Sequence, residues 1–207
     1  MYRIQETCEN TIIIEKSEFI TRLYRVNNVE EVYDILEYIR KKHYDATHNC
    51  YAFILGDNQE IQKASDDGEP QKTAGVPMLE VLKKNNMTNI LAITTRYFGG
   101  ILLGAGGLVR AYSNSVSEAL KRAKLYTTEL QTKFKLTTSY SGYNTILKVF
   151  NYITLDNISF TTDVLIEGFL NKEKAINFKD ELYKYKIDTM TLEFLGDFNI
   201  EIEYKKE

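Results

Sequence analysis

The N-terminal half is organised around residues 95–112, which have the sequence TRYFGGILLGAGGLVRAY. This stretch overlaps the end of a mainly apolar run, 89–95, that predicts a buried strand, and it leads into 108–123, where apolar residues recur at helical spacing. Between them, residues 97–107 hold five glycines in eleven positions, which predicts a loop. Glycines in such a loop permit φ > 0 and the close approach of another backbone or of a phosphate.

Strand and helix signals alternate before this stretch. Strands are predicted at 11–14, 19–24, 50–55 and about 59–63. Helices are predicted at 29–42, with Asn28 as N-cap, and at 74–84, with Thr73 as N-cap.

A second pattern begins near residue 128. It predicts a strand at 133–140, a helix at 143–150 capped by Ser141, strands at 153–161 and 164–169, a helix at 172–185 capped by Asn171, and a strand-rich segment at 189–204. The order βαββαβ is that of a ferredoxin-like fold. The prediction is therefore an α+β protein with an N-terminal domain at 1–128 and a ferredoxin-like C-terminal domain at 129–207.

Composition excludes several classes of protein. Apolar residues make up 43% and charged residues 27% of the 207, as in an ordinary globular protein. The apolar runs are far shorter than the roughly 20 residues of a membrane span, and no signal peptide is predicted at the N-terminus. Cys8 and Cys50 have no metal-ligand spacing and are too few for a disulfide scaffold, so we expect a cytoplasmic protein with reduced thiols.

The charge distribution argues against a uniformly basic nucleic-acid binder. Residues 1–128 carry 16 Lys and Arg against 16 Asp and Glu, whereas residues 129–207 carry 10 against 13. Any binding of a polyanion therefore requires a local patch.

Two polar clusters precede the glycine-rich stretch. Residues 47–52, THNCYA, lie at the start of a predicted strand, and at strand spacing His48 and Cys50 point to one face. They could form a base and a nucleophile, or a hydrogen-bonded histidine beside a buried cysteine. Residues 65–70, SDDGEP, could ligate Mg²⁺, form Asx turns before a helix cap, or present a helix N-terminus to an anion.

The glycine-rich stretch forms the third cluster. Arg96 and Arg110 flank it and could pair with phosphate oxygens, while Tyr97 and Phe98 offer stacking faces for a base. Neither Gly-x-Gly-x-x-Gly nor Gly-Lys-Ser/Thr occurs, so no nucleotide cofactor is expected. The alternative is tight packing of strand, loop and helix.

Together the clusters resemble the YigZ/IMPACT family. The matching motifs are ATHNCYA at 46–52, SDDGEP at 65–70 with TAGVP at 73–77, TRYFGG at 95–100 with LGAGGLVRAY at 103–112, and KSEFI at 16–20. The resemblance implies a left-handed βαβ fold shared with domain IV of elongation factor G for the N-terminal domain. It implies a C-terminal domain similar to domain V of that factor, and an association with translation. It brings no catalytic residues with it.

The predicted function is a translation-associated binding protein that recognises RNA or the ribosome by phosphate pairing and base stacking. The alternatives are a metal- or His/Asp-dependent hydrolase such as a peptidase, and a module that binds a protein partner in translation control. No metal, cofactor or catalytic residue is assigned, and neither DNA nor a membrane is expected as a partner. The candidate ligand-binding residues, expected to meet at one site, are His48, Ser65, Asp66, Asp67, Gly68, Glu69, Thr73, Arg96, Tyr97, Gly99, Gly100, Gly104, Gly106, Gly107 and Arg110.

Overall fold

The structure, a computed structural model, describes residues 1–204 without the side chains of Thr189 and Met190. The chain forms two compact units, one of Met1–Thr127 with Glu203 and Tyr204, the other of Thr128–Ile202. Both combine helices with a sheet, so the predicted α+β, two-domain class is confirmed. Among the described residues, no helix has the length and apolar character needed to cross a membrane.

The first unit contains a five-stranded sheet and three helices. Its elements are β1 (Tyr2–Arg3), β2 (Cys8–Ile14), β3 (Ser17–Arg25), α1 (Val29–Lys42), β4 (His48–Leu55), β5 (Ile61–Ser65), α2 (Gly75–Lys84), β6 (Ile90–Tyr97) and α3 (Gly104–Arg122). The sheet order is β2-β3-β6-β4-β5, and every neighbouring pair is antiparallel. β1 lies outside this sheet and pairs with the start of β7 (Leu125–Thr138).

Different helices cover the two faces of this sheet. Successive strand residues point to opposite faces, and β4 and β6 are buried along almost their whole length. α2 and α3 pack on one face, where Met78 and Tyr112 join the core that contains Phe19. α1 packs on the other face, where Leu36 joins the core that contains Phe53. The sheet is thus covered on both faces, and the ends of β4 and β6 present polar residues at its edge.

The predicted start of α1 is confirmed. Oδ1 of Asn28 accepts a hydrogen bond from the backbone N–H of Glu31 (2.9 Å), and the Glu31 carboxylate accepts one from the N–H of Asn27 (2.8 Å). The first bond satisfies a donor that the first turn of the helix leaves open, and the second ties the residue before the cap to that turn.

The glycine-rich stretch differs from its prediction at both ends. β6 continues to Tyr97 and α3 begins at Gly104, so the loop is confined to 98–103 and three of the five glycines lie in the first turn of a helix. Each glycine weakens a helix by about 1 kcal/mol relative to alanine. The buried side chains of Leu108, Tyr112 and Val116 hold α3 against the sheet, and this packing outweighs the local propensity.

The second unit follows the order βαββαβ. After β7 come α4 (Tyr140–Val149), β8 (Thr154–Phe160), β9 (Val164–Asn171), α5 (Lys172–Lys184) and β10 (Thr189–Tyr204). The strand order is β8-β9-β7, with β10 paired to β7, and Phe134, Phe150 and Phe178 lie in the core.

The helix starts of this unit were predicted with mixed success. α4 begins earlier than predicted, because the side chain of Ser139, not Ser141, accepts from the N–H of Gly142 (3.1 Å). Asn171 caps α5 as predicted.

Candidate functional site

The acidic loop between β5 and α2 is built around Asp66. Its Oδ1 accepts from the N–H groups of Ala74 (3.0 Å) and Gly75 (2.9 Å), and its Oδ2 accepts from the N–H of Lys72 (2.8 Å). A carboxylate here satisfies donors at the start of α2 and is favoured by the helix dipole. The prediction that Thr73 caps α2 is wrong, because its hydroxyl donates instead to a carbonyl of its own loop (2.6 Å).

Asp67 fixes the orientation of His48. The carboxylate of Asp67 accepts from Arg40 (2.9 Å) and from the N–H of Asn49 (2.8 Å), and its backbone oxygen lies 2.8 Å from Nδ1 of His48. A carbonyl oxygen can only accept, so Nδ1 carries the hydrogen and Nε2 of the neutral ring is an acceptor. Gly68, with φ 90°, packs against this ring, since a Cβ there would lie 3.2 Å from Nδ1.

A buried polar network connects the acidic loop with β6 and α3. The side chain of Glu69 is 3% exposed, and its Oε1 accepts from Nη1 of Arg96 (2.6 Å) and from the hydroxyl of Tyr112 (2.8 Å). Burial raises the pKa of Tyr112 far above its ordinary value, so the phenol keeps its proton and donates. The guanidinium thus balances the charge of a carboxylate that would otherwise be costly to bury.

Cys50 is part of the same network. Its Sγ lies 2.9 Å from the backbone oxygen of Asp66 and 3.3 Å from the hydroxyl of Tyr112. The residue is fully buried, and burial raises the pKa of its thiol well above the usual range. A nucleophilic cysteine requires an accessible thiolate, and these surroundings favour the inert thiol.

Arg96 does not lie on a phosphate-binding surface, contrary to the expectation from sequence. It is 5% exposed, its guanidinium lies 5.4 Å from the ring of Phe19 and 5.5 Å from that of Phe98, and it is paired with Glu69. Its role here is to neutralise Glu69 and to support Phe98, which is 45% exposed. Cation–π contacts of this kind stabilise the position of the ring.

The three sequence clusters meet around one cavity of about 370 Å³. It is lined by Thr47, His48, Glu69, Pro70, Arg96, Phe98, Leu102, Leu103, Gly104, Ala105 and Leu108. Within it, Nε2 of His48 lies 3.8 Å from Oε2 of Glu69. Four candidate residues, His48, Glu69, Arg96 and Gly104, therefore share a single concave site with apolar walls.

The N-terminus of α3 borders this cavity. Among the residues that the structure describes, no side chain caps α3, and the first turn of α3 holds no acidic residue, so the N–H groups of that turn have no side-chain acceptor there. Arg110 is exposed and forms no ion pair within residues 1–204; its Nη1 lies 3.7 Å from the position a Cβ on Gly106 would occupy. Gly107 and Arg110 also line a second groove, of about 890 Å³.

The remaining candidate residues hold the loops in place. A Cβ on Gly99 would lie 2.0 Å from a backbone carbon of the β2–β3 turn, whereas Gly100, with φ 83°, has open space around it. The hydroxyl of Tyr97 bonds to Nδ1 of His43 (2.8 Å), and Tyr97 does not line the cavity. Ser65 accepts from the N–H of Asp67 (3.3 Å) within the acidic loop. These residues shape the site without lining the cavity.

One member of the network was missed from sequence. Tyr112 lies within 108–123, where the apolar spacing predicts a helix, and its ring is buried on that helix. Its hydroxyl meets Glu69, which is 43 positions away. The local signal for this contact is that a tyrosine, not a phenylalanine, occupies a core position, because a buried hydroxyl usually has a hydrogen-bond partner.

The acidic loop does not have the arrangement of a metal centre. Within the part of the chain that the structure describes, no three His, Cys, Asp or Glu side chains are placed to share an ion. Asp66 and Asp67 are engaged by backbone N–H groups and by Arg40. The loop is thus built as a hydrogen-bonded turn.

The chain is similar in sequence to a family of known proteins. Residues 15–120 match the family model described as the Impact N-terminal domain. The chain is 42% identical over 182 residues to the IMPACT family member YvyE of Bacillus subtilis, covering 86% of this chain and 83% of that protein. It is 34% identical over 183 residues to the IMPACT family member YigZ of Escherichia coli, covering 86% and 90%.

A solved structure extends the similarity to almost the whole length. A crystal structure described as that of a hypothetical protein matches with a TM-score of 0.58 and 32% identity, covering 94% of this chain and 96% of the other. Similarity of this length and identity, together with the matched domain model, leads to one conclusion. The chain belongs to the IMPACT family.

Proposed function

We propose that the chain is a translation-associated binding protein that recognises RNA, free or within the ribosome, through the surface formed by residues 98–110. The observation that carries the proposal is the position of Arg110. This exposed guanidinium leans over Gly106 toward the uncapped N-terminus of α3, where a positive charge is unfavourable unless an anion is present. A phosphate would satisfy both the guanidinium and the open N–H groups.

Two further features support this surface. Gly106 is helical, does not have positive φ and has no close packing neighbour, so neither conformation nor internal packing accounts for the missing side chain. Leu102 is 87% exposed and Phe98 45% exposed, which gives the surface an apolar and aromatic component on which bases can stack. Glu15 lines the same groove as Arg110, but the two form no ion pair among the described residues.

We also propose the finer features of the fold, from the resemblance to the IMPACT family. They are a domain boundary near residue 128, a ferredoxin-like C-terminal domain, and an N-terminal domain related to domain IV of elongation factor G. The relation to an elongation factor would connect the chain to translation. The strand order β8-β9-β7-β10 supports the ferredoxin-like domain. Cytoplasmic localisation and a protein partner in translation control belong to the same proposal.

The proposal is tested by replacing Arg110. We expect Arg110→Ala to weaken the binding of a single-stranded RNA of about 12 nucleotides. The slope of the logarithm of the binding constant against the logarithm of the salt concentration should become shallower by about 0.7, the value for one lost phosphate contact. Fluorescence anisotropy across a series of salt concentrations measures both quantities. Arg122→Ala, at the other end of α3, is the matched control and should leave both unchanged. Equal affinity and equal slope in wild type and Arg110→Ala would remove this surface from RNA binding.

The hydrolase alternative has one observation in its favour. His48 and Glu69 face each other at 3.8 Å in a cavity, an arrangement that can hold a general base. Turnover of a peptide library by the wild-type protein, abolished by His48→Ala, would establish it. Absence of turnover would leave the pair as a binding element.

A further inference from the structure

One carboxylate oxygen at the cavity has no hydrogen bond within residues 1–204. Oε1 of Glu69 accepts from Arg96 and Tyr112. Nε2 of His48 lies 3.8 Å from Oε2, which is beyond hydrogen-bonding distance. The Glu69 side chain lines the cavity, and Oε2 is not among the fully buried atoms that lack a partner, so a ligand in the cavity can reach this oxygen. A carboxylate oxygen ordinarily accepts hydrogen bonds from protein groups or from water, and a donor group of a ligand could take that place.

His48 places a second acceptor beside it. Because Nδ1 donates to the backbone oxygen of Asp67, the neutral ring directs a lone pair from Nε2. Two acceptors 3.8 Å apart call for a ligand that carries N–H donors. An acceptor oxygen of a ligand at the same place would face two lone pairs and gain nothing.

The walls define the rest of the ligand. Pro70, Phe98, Leu102, Leu103 and Leu108 supply apolar surface, and Arg96 supports the ring of Phe98 from 5.5 Å. A volume of about 370 Å³ is at the lower end of the range for small-ligand pockets. A flat ring system that stacks on Phe98 and turns its donor edge toward Glu69 fits these walls.

The charges favour a neutral donor over a cation. The charge of Glu69 is already balanced by Arg96 at 2.6 Å, and Arg96 lines the same cavity. An ammonium or guanidinium group of a ligand would therefore approach a cation with no unbalanced anion to hold it. The amino group of a nucleobase has the donors without the charge.

We propose that this cavity receives one unpaired nucleobase and reads its amino-bearing edge, so that adenine, cytosine or guanine is preferred to uracil. The amino group of each of these bases carries two hydrogens, one for Glu69 and one for His48, whereas uracil offers a single N3–H between two carbonyl oxygens. This inference rests on the proposed RNA binding and specifies its base preference. A site built to bond both hydrogens of an amino group discriminates against a base that has no amino group.

Binding of adenine, cytosine and uracil homo-oligomers of about 12 nucleotides tests the preference. We expect the wild-type protein to bind the adenine or the cytosine oligomer at least about tenfold more tightly than the uracil oligomer. Glu69→Gln replaces an acceptor by an amide that also donates, and should reduce the ratio to near one. Ala105→Leu fills the cavity from the exposed face of α3 and leaves the Glu69–Arg96 ion pair in place. This variant should also lose the base preference, and it serves as the test if Glu69→Gln fails to fold.

The possible results are distinguishable. Equal binding of all three oligomers, still weakened by Arg110→Ala, would overturn the base preference and leave the proposed function standing. Binding of none would overturn both. A lysine-containing tripeptide that displaces the adenine oligomer from wild type, where adenosine does not, would show an amine site and overturn the inference.

Discussion

Replacing Arg96 by methionine tests the buried ion pair at the centre of the site. Arg96 and Glu69 are 6% and 3% exposed in their side chains and lie 2.6 Å apart. Methionine keeps most of the length and apolar contact of arginine but leaves the carboxylate of Glu69 buried without its cation. Removing one partner of a buried pair costs about 3–5 kcal/mol, a large share of the roughly 5–15 kcal/mol that holds a typical domain folded.

The double variant Arg96→Met/Glu69→Gln measures how much of the cost comes from the unpaired charge of Glu69. With Glu69→Gln added to Arg96→Met, no uncompensated charge remains, so the double variant should be more stable than Arg96→Met alone, by about 1–3 kcal/mol. Lys121→Met is the matched control, because its 2.6 Å pair with Glu118 is exposed and such pairs contribute about 0–1 kcal/mol.

Urea unfolding followed by circular dichroism provides the free energies, with the two units fitted as separate transitions if the curve requires it. A cost of less than about 1 kcal/mol for Arg96→Met would contradict the burial argument. Strict additivity of the two substitutions in the double variant would show that they do not interact.

Three further outcomes follow from the same contacts. Because burial raises the pKa of the Cys50 thiol, it should resist alkylation at neutral pH until denaturant is added; rapid labelling slowed by His48→Ala would instead favour the hydrolase. Asp66→Ala should cost about 1–2 kcal/mol of stability by unfolding measurements, because three N–H groups lose their acceptor; an unchanged midpoint contradicts the assigned cap. Gly106→Ala should keep or raise the stability, by up to about 1 kcal/mol, yet weaken RNA binding. Gly99→Ala should lower the stability, because its Cβ would lie 2.0 Å from a backbone carbon. The opposite order of the two melting temperatures would refute the glycine assignments.

Local signals in the sequence were sufficient for much of the architecture. Asn28 and Asn171 cap the helices that they were predicted to cap, because a side-chain cap depends on residues only two or three positions apart. The helical spacing of apolar residues in α3 and the alternation of strands and helices likewise follow from short-range periodicity. The motifs at 46–52, 65–77 and 95–112 were likewise visible as contiguous letters.

Errors arose where a distant residue competes with a local one. Thr73 is a reasonable cap by its position, but the carboxylate of Asp66 reaches the same N–H groups from across the loop. The glycines at the start of α3 predict a loop, and it is the packing of Leu108 and Tyr112 against the sheet that makes the segment helical.

The sequence alone determined which residues are polar, aromatic or free of a side chain near the site, because composition and spacing are local properties. The tertiary structure alone decided their roles. It buried Arg96 against Glu69 and left Arg110 exposed, although both arginines flank the same stretch. The register of β6 between β3 and β4 points Arg96 toward the core, while the helical turn at Gly106 leaves Arg110 on the surface. Pairings that join positions 27 to 46 residues apart, such as Glu69 with Arg96 and Asn49 with Thr95, arise only when the sheet is assembled.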